Sequence, residues 1–310
     1  MAGGAEAAPL GPGSEPLALR ASDGVALRAA LRVPPEGAPR GLLALLHGRT
    51  EFLEKHAPVA AALAARGFAV ASTDWRGQGG SARALRDGRR GHVTDFDAYR
   101  RDLAALLAAP AAAAVPGPRV MLAHSMGGAV GLGALARGVG DFRAAIFSAP
   151  MWELAIGPVS EAAARALSRA AVALGLGGRY VPGARPDVPY ALRGFADNAL
   201  TADPDRFAEI AAVTRQAGDR ALAGPTLGWL NAAFAEIDAL ADLRCPAPAL
   251  VFVGSDEAVV SPGAIAARAR ADGMTHVVVP GGRHEVFFET PPRRAQVWAA
   301  IDRFLAEQGL

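Results

Sequence analysis

Apolar and polar positions alternate with two different periods along this chain. Leu17 to Pro34 alternates in patches around the turn signal Ser22-Asp23-Gly24 and predicts a β-hairpin. Leu42–Leu46 is a continuous apolar run, the pattern of a strand buried on both faces. A helical stretch follows through about Arg66 and ends at Gly67, and Phe68–Ser72 reads as the next strand. Asp95 to Leu107 has helical spacing with Thr94 as its expected N-cap, and Pro110 to Pro118 reads as a linker. Val120–Ala123 and Ala144–Phe147 are two more buried strands, separated by a small-residue helix that begins at Met126. Strands alternating with helices require right-handed crossovers, and so a parallel sheet.

That rhythm stops near residue 150. From there to about 240 the pattern is helical or irregular, broken at Gly177-Gly178, Pro182-Gly183 and Ala202-Asp203-Pro204. It resumes with the strand Ala249–Val253, a helix from Pro262 to Ala271, the strand Thr275–Val279 and an amphipathic helix from about Pro292 to Leu305. The expected organisation is a loose tail over 1–16, an α/β core over 17–149 and 241–310, and a helical cap inserted over 150–240.

Composition narrows the function. A chain of 310 residues, 51% apolar and 20% charged, is long enough to bury a large core and too apolar to be disordered. A net charge of +2 without a block of like charge gives no electrostatic case for nucleic acid. Lys55 is the only lysine, and the richness in Ala, Gly and Arg reads as coding bias. The single cysteine, Cys245, rules out an internal disulfide. Met1–Pro16 has neither the basic nor the apolar region of a signal peptide, and no apolar run approaches membrane-spanning length, so a cytoplasmic protein is expected. His47, His56 and His276 lack metal-ligand spacing, and Gly77-Gln78-Gly79-Gly80 opens no nucleotide-binding unit. Neither metal nor cofactor is expected.

The chemistry centres on Ser125. It stands where a strand turns directly into a helix, a turn that demands small neighbours, and Ala123-His124-Ser125-Met126-Gly127 supplies them. The arrangement resembles the nucleophile elbow of the α/β-hydrolases, with Ala123 in place of the first glycine. A serine hydroxyl needs a base, and the base needs an orienting carboxylate. Asp256 and Glu257 follow the strand that ends at Val253, and His284 follows the strand that ends at Val279. Serine, acid and histidine therefore come in the α/β-hydrolase order, each after a strand's C-terminal end, where ligand sites in such sheets form. Either carboxylate is available to orient His284. The oxyanion formed by attack needs N–H donors: one is the Met126 N–H, and His47-Gly48 allows a second chain segment to approach closely.

Longer stretches extend the resemblance over nearly the whole chain beyond the tail. His47-Gly48-Arg49-Thr50-Glu51-Phe52, Asp74-Trp75-Arg76-Gly77-Gln78-Gly79, Gly91-His92-Val93 with Asp95-Phe96, and Gly282-Arg283-His284-Glu285 resemble bacterial lysophospholipase L2. They are also similar to the related monoacylglycerol lipases, serine hydrolases with a mobile cap. The resemblance implies the α/β-hydrolase fold, and the frame set by Gly254 and Val259-Val260 favours Glu257 over Asp256 as the acid. It makes the Arg49 N–H the second oxyanion donor. The implied reaction is hydrolysis of a single acyl ester on a lipid-like small molecule.

A small-ester carboxylesterase or a peptidase would use the same catalytic residues, and a non-catalytic scaffold binding through the cap is a different class again. Leu154–Leu176 is either a helix packing its apolar stripe on the core or a lid that admits an acyl chain or touches a bilayer. Phe195, Trp229, Leu230 and Phe234 are candidates for an acyl pocket, with core packing the equal alternative. His47 and His124 are expected to be structural. Asp74, Arg76, His92 and Asp95 are expected to hold loops in place.

Overall fold

The computed structural model describes residues 8–184 and 189–310. Eight strands among them form one sheet: β1 (Ser14–Arg20), β2 (Ala26–Arg32), β3 (Gly41–Leu46), β4 (Phe68–Thr73), β5 (Arg119–His124), β6 (Phe142–Ser148), β7 (Ala249–Gly254) and β8 (Thr275–Val279). Their order across the sheet is β1-β2-β4-β3-β5-β6-β7-β8. The hairpin β1–β2 joins β4 in antiparallel fashion, and every later neighbour is parallel. The helices are α1 (Ala57–Ala64), α2 (Asp97–Ala108), α3 (Pro110–Ala113), α4 (Met126–Ala136), α5 (Pro158–Ala173), α6 (Pro204–Ala217), α7 (Leu227–Ala241), α8 (Pro262–Ala271) and α9 (Pro291–Glu307).

Continuous apolar strands are buried on both faces because helices cover both. Leu43, Leu45, Val120, Leu122, Ile146 and Phe252 face Leu63 of α1 and Val297, Ile301 and Phe304 of α9. The residues between them, Leu42, Leu46, Met121, Ala123, Phe147 and Val251, face Leu103 of α2 and Val130 of α4. Small residues in α4 let it lie directly on β5: a side chain at Gly131 would press on Met121 and Ala123. The parallel strands thus deliver the ends of β3, β5, β7 and β8 to one edge of the sheet.

The chain between β6 and β7 carries α5, α6 and α7 and no strand among its described residues, with α5 packed on α7. Three expectations need correction. The segment expected as a loose tail already enters β1 at Ser14, and Leu10 is fully buried; residues 1–7 lie outside the described residues. The supposed linker after α2 includes the single turn α3, begun by Pro110. The first turn of α2 is capped by Asp95, whose Oδ1 accepts the Ala98 N–H at 2.9 Å, while Thr94 donates its hydroxyl to Asp95. Among the described residues no helix is long and apolar enough to cross a membrane.

Candidate active site

Ser125 joins β5 to α4 with φ +52°, a left-handed conformation that costs a non-glycine residue free energy. It is held there from both sides: its N–H donates to the Ser148 carbonyl at 3.0 Å, and its own carbonyl accepts from Met151 at 2.9 Å and Gly128 at 2.8 Å. Gly127 makes the turn sterically feasible. A Cβ at that position would overlap the Leu46 carbonyl oxygen and come within 2.7 Å of that of His47.

Three side chains from three strand ends meet above this turn. The Ser125 hydroxyl lies 2.9 Å from His284 Nε2, and His284 Nδ1 lies 2.8 Å from Glu257 Oε2. Glu257 Oε1 accepts the N–H groups of Val259 at 2.6 Å and Val260 at 3.2 Å. Burial pushes the Glu257 carboxyl upward, but the hydrogen bond and charge of His284, with those two N–H groups, outweigh it and hold the carboxyl below its ordinary value. Asp256, the alternative acid, is exposed and bonded to the Ser255 hydroxyl. The loops bearing Glu257 and His284 touch through backbone, since a Cβ on Gly254 would overlap the Gly282 carbonyl.

The loop after β3 passes against the serine. A Cβ on Gly48 would lie 3.1 Å from the Ser125 Cβ, which brings the following Arg49 to the same edge as Met126 at the head of α4. The loop is fixed by the Gly48 N–H donating to Glu51, the Thr50 N–H donating to Gln78 at 2.7 Å, and a left-handed Thr50 at φ +68°. The Arg49 side chain reaches away to the carbonyls of Ala223 (3.3 Å) and Gly224 (3.0 Å) and lies over the Trp229 ring. Burial lowers the guanidinium to about 10.

His47, His124, His92 and the loop residues Asp74 and Arg76 have structural partners. His47 is fully buried with Nδ1 2.9 Å from the Gly48 carbonyl, and burial lowers its pKa. His124 sets Nδ1 3.1 Å from the Ser148 carbonyl, and its ring lies 4.8 Å from that of His284. Asp74 accepts the N–H groups of Leu53 at 2.9 Å and Gly80 at 2.7 Å; Arg76 pairs with Asp102 and Asp23. His92 bonds the Thr226 hydroxyl at 2.9 Å.

Ser125 and His284 open into a cavity of about 620 Å³. Its wall is largely apolar and includes Met151, Leu154, Ile210, Trp229, Leu230 and Val259. Phe195 and Phe234 do not line it. Phe195 is 39% exposed and packs on Phe207, and Phe234 is buried in the core beneath Arg165. Phe234 lies in α7, whose helical apolar pattern does not distinguish the cavity side from the other faces, and Phe195 lies in irregular chain before α6, where no periodicity sets a side chain's direction.

Sequence reasoning missed a group of charges beside the triad: Glu51, Lys55 and Glu285, buried together with His124. Two signals pointed there, the helical i, i+4 spacing of Glu51 and Lys55 and the isolation of Lys55 as the only lysine.

A family model described as serine aminopeptidase, S33 matches residues 37–291. Lysophospholipase L2 of Escherichia coli is 32% identical over 279 residues, covering 83% of this chain and 78% of that protein. Monoacylglycerol lipase of Mycolicibacterium smegmatis is 32% identical over 139 residues, 44% of this chain and 48% of that one. A soluble variant of monoglyceride lipase from Saccharomyces cerevisiae, solved with a substrate analogue, has a TM-score of 0.72 at 18% identity and covers 94% of both chains. That last likeness is one of fold.

Proposed function

The chain belongs to the serine aminopeptidase, S33 family of α/β-hydrolases, and on that premise we propose that it hydrolyses the carboxylic ester of a single-acyl lipid through an acyl-enzyme on Ser125. The substrate is a lysophospholipid or a monoacylglycerol. Ser125 Oγ attacks the ester carbonyl while His284 Nε2 takes its proton, and Glu257 holds the ring and balances the imidazolium. The N–H groups of Met126 and Arg49 receive the oxyanion. His284 then protonates the leaving alcohol, and water, deprotonated by the same nitrogen, releases the fatty acid and restores Ser125.

The observation that carries this reading is the chain of hydrogen bonds from Glu257 through His284 to Ser125, opening into an apolar cavity. The cavity's size suits one small ligand, and its wall suits an acyl chain. An aminopeptidase would need a carboxylate to receive the substrate's ammonium. Among the described residues, the carboxylates lining the cavity are Glu51 and Glu285, both already paired with Lys55. That favours an ester over a peptide.

The segment 150–240 serves in this reading as a cap over the core at 17–149 and 241–310. Val172, Leu174 and Leu176, at and beyond the end of α5, are exposed, Leu174 by 74%, and they supply an apolar surface for transient contact with a lipid layer. A cytoplasmic setting completes the proposal, in line with a lone cysteine that forms no internal disulfide.

The test compares hydrolysis of a lysophospholipid and a monoacylglycerol bearing the same acyl chain, with Ser125→Ala as control. Turnover of either that disappears in the variant supports the proposal and ranks the head groups. Cleavage of short soluble esters with neither lipid touched would reject the substrate class and retain the hydrolase.

A further inference from the structure

The hydrolytic steps leave the second charge cluster unused. Lys55 is 6% exposed, and its ammonium contacts both Glu51 Oε1 and Glu285 Oε1 and lies 5.4 Å from the centre of the Phe288 ring. His124 Nε2 closes the group, 3.5 Å from Glu285 Oε2 and 3.9 Å from Glu51 Oε1. His56 Nε2 lies 2.9 Å from Glu51 Oε2. Two buried carboxylates this close repel and desolvate each other unless cations compensate them. Burial lowers the Lys55 pKa, but Glu285 and Glu51 outweigh it and raise the value, so the ammonium stays charged. The ligand atoms of Glu51, His124 and Glu285 lie within 4.8 Å of one another, close enough for a metal, and the ammonium is the cation that contacts two of the three residues.

Each partner leads to the reacting groups. Glu51 accepts the Gly48 N–H and so fixes the peptide segment that leads to Arg49. Glu285 follows His284, and the N–H groups of the two donate to Leu200 at 2.7 Å and Ala199 at 3.2 Å. His124 precedes Ser125. In a chain that otherwise uses arginine wherever it does not use histidine as a basic residue, the residue here is lysine. A compact ammonium with three rotatable donors fits between two carboxylates approaching from different sides; a planar guanidinium does not.

We propose that Lys55 is a positioning residue for the ester hydrolysis, clamping Glu51 and Glu285 and thereby holding the Gly48–Arg49 loop and the His284 loop in register with Ser125. This rests on the hydrolase reading above. Without the ammonium, the Gly48 peptide and the His284 loop lose their common anchor, and two carboxylates, one of them next in sequence to His284, are left without the cation between them. The groups facing this site are Glu51 and His56 from the turn before α1, His47 at the end of β3 with its ring 5.8 Å from that of His56, and Asp74, 3.8 Å from His47. Among the described residues His124 at the end of β5, Glu257 after β7 and Glu285 belong to the same group, and Arg193 lines the same cavity.

The test measures hydrolysis of a soluble p-nitrophenyl ester and labelling of Ser125 by a fluorophosphonate as functions of pH. It uses the wild type, Lys55→Met, Lys55→Arg and the double variant Lys55→Met with Glu285→Gln. Lys55→Met is expected to lose about 10- to 100-fold in kcat with KM within about twofold, and the acid limb of kcat/KM should move up by about one pH unit. Lys55→Arg should restore the limb and leave kcat low. The double variant, relieved of one carboxylate, should fold even where Lys55→Met does not and should return the limb toward the wild type. A folded Lys55→Met with unchanged kcat and limb, or a double variant that keeps the shifted limb, would overturn the clamp alone. A wild type inert to both reagents would overturn the hydrolase reading and the clamp with it.

Discussion

Glu257 Oε2 lies 2.8 Å from His284 Nδ1, while its neighbour Asp256 turns its carboxylate to the Ser255 hydroxyl at the same distance and stays exposed. Only the first of these carboxylates can orient the imidazole. Glu257→Gln is expected to lower kcat by about 10³- to 10⁴-fold, because an amide can no longer balance the imidazolium or fix the productive tautomer. Asp256→Asn should stay within about threefold of the wild type, as befits an exposed side chain outside the chain of hydrogen bonds. Steady-state kinetics on a soluble ester decide it, and equal mild losses would reject the assignment.

The elbow has no room at Gly127. Gly127→Ala forces a methyl group against the backbone carbonyls of Leu46 and His47, which cannot rotate away. The expected cost is at least about 1–3 kcal/mol, the range for overpacking, together with loss of Ser125 labelling. A thermal melt with the fluorophosphonate reaction measures both, and a variant with the wild-type midpoint and labelling rate would show that the turn is looser than its geometry.

The sequence carried the sheet because each strand is either alternating or continuously apolar, and the choice between these follows from whether helices cover one face or two. Ser125 was legible for the same reason: a strand followed at once by a small-residue helix permits few backbone paths. Lys55 and Glu285 were not legible as partners, since 230 residues separate them and neither belongs to a local pattern that names the other. Phe234 failed as a pocket candidate because helical periodicity marks an apolar face and does not say which neighbour covers it, and Phe195 because irregular chain carries no periodicity at all. Asp95 displaced Thr94 as the helix cap because its carboxylate reaches the first-turn N–H directly and Thr94 bonds only to Asp95.

The buried charges set a pH window for stability. For Glu51, Glu257 and Glu285, burial raises the pKa, but neighbouring Lys55 and histidine charges outweigh it and hold all three below the ordinary 4.5. Their stabilisation is complete above 4.5 and is lost as pH falls through the lowered folded values. His47, lowered from 6.5 by burial, adds a loss that starts as pH falls below that value. His124 has the opposite sign: burial lowers it, but Glu285 and Glu51 outweigh burial and raise it above 6.5, so its contribution is complete below 6.5 and lost as pH rises through the raised value. Thermal midpoints should therefore fall on both sides of neutrality, and His124→Gln should flatten the alkaline side, with a smaller change on the acid side because His124 also helps to hold Glu51 and Glu285 down. An unchanged alkaline slope in that variant would contradict the assignment.

The lipid-surface contact proposed for the exposed apolar residues around the end of α5 can be separated from catalysis by substitution. Leu174→Asp combined with Val172→Asp places two charges on exposed positions outside the cavity wall. Activity on a lysophospholipid presented in anionic vesicles should drop about tenfold, while activity on a short soluble ester should stay within about twofold. Parallel losses on both substrates would assign these residues to the fold.

The most direct measurement of the central claim is rapid quenching of the enzyme during turnover of a single-acyl lipid, followed by mass analysis of the peptide that contains Ser125. The account predicts that this peptide gains the mass of the fatty acid minus one water and that the adduct decays as fatty acid is released. It also predicts that Glu257→Gln slows both its formation and its decay. Continued lipid turnover with no adduct on Ser125, or turnover that survives Ser125→Ala, would contradict it.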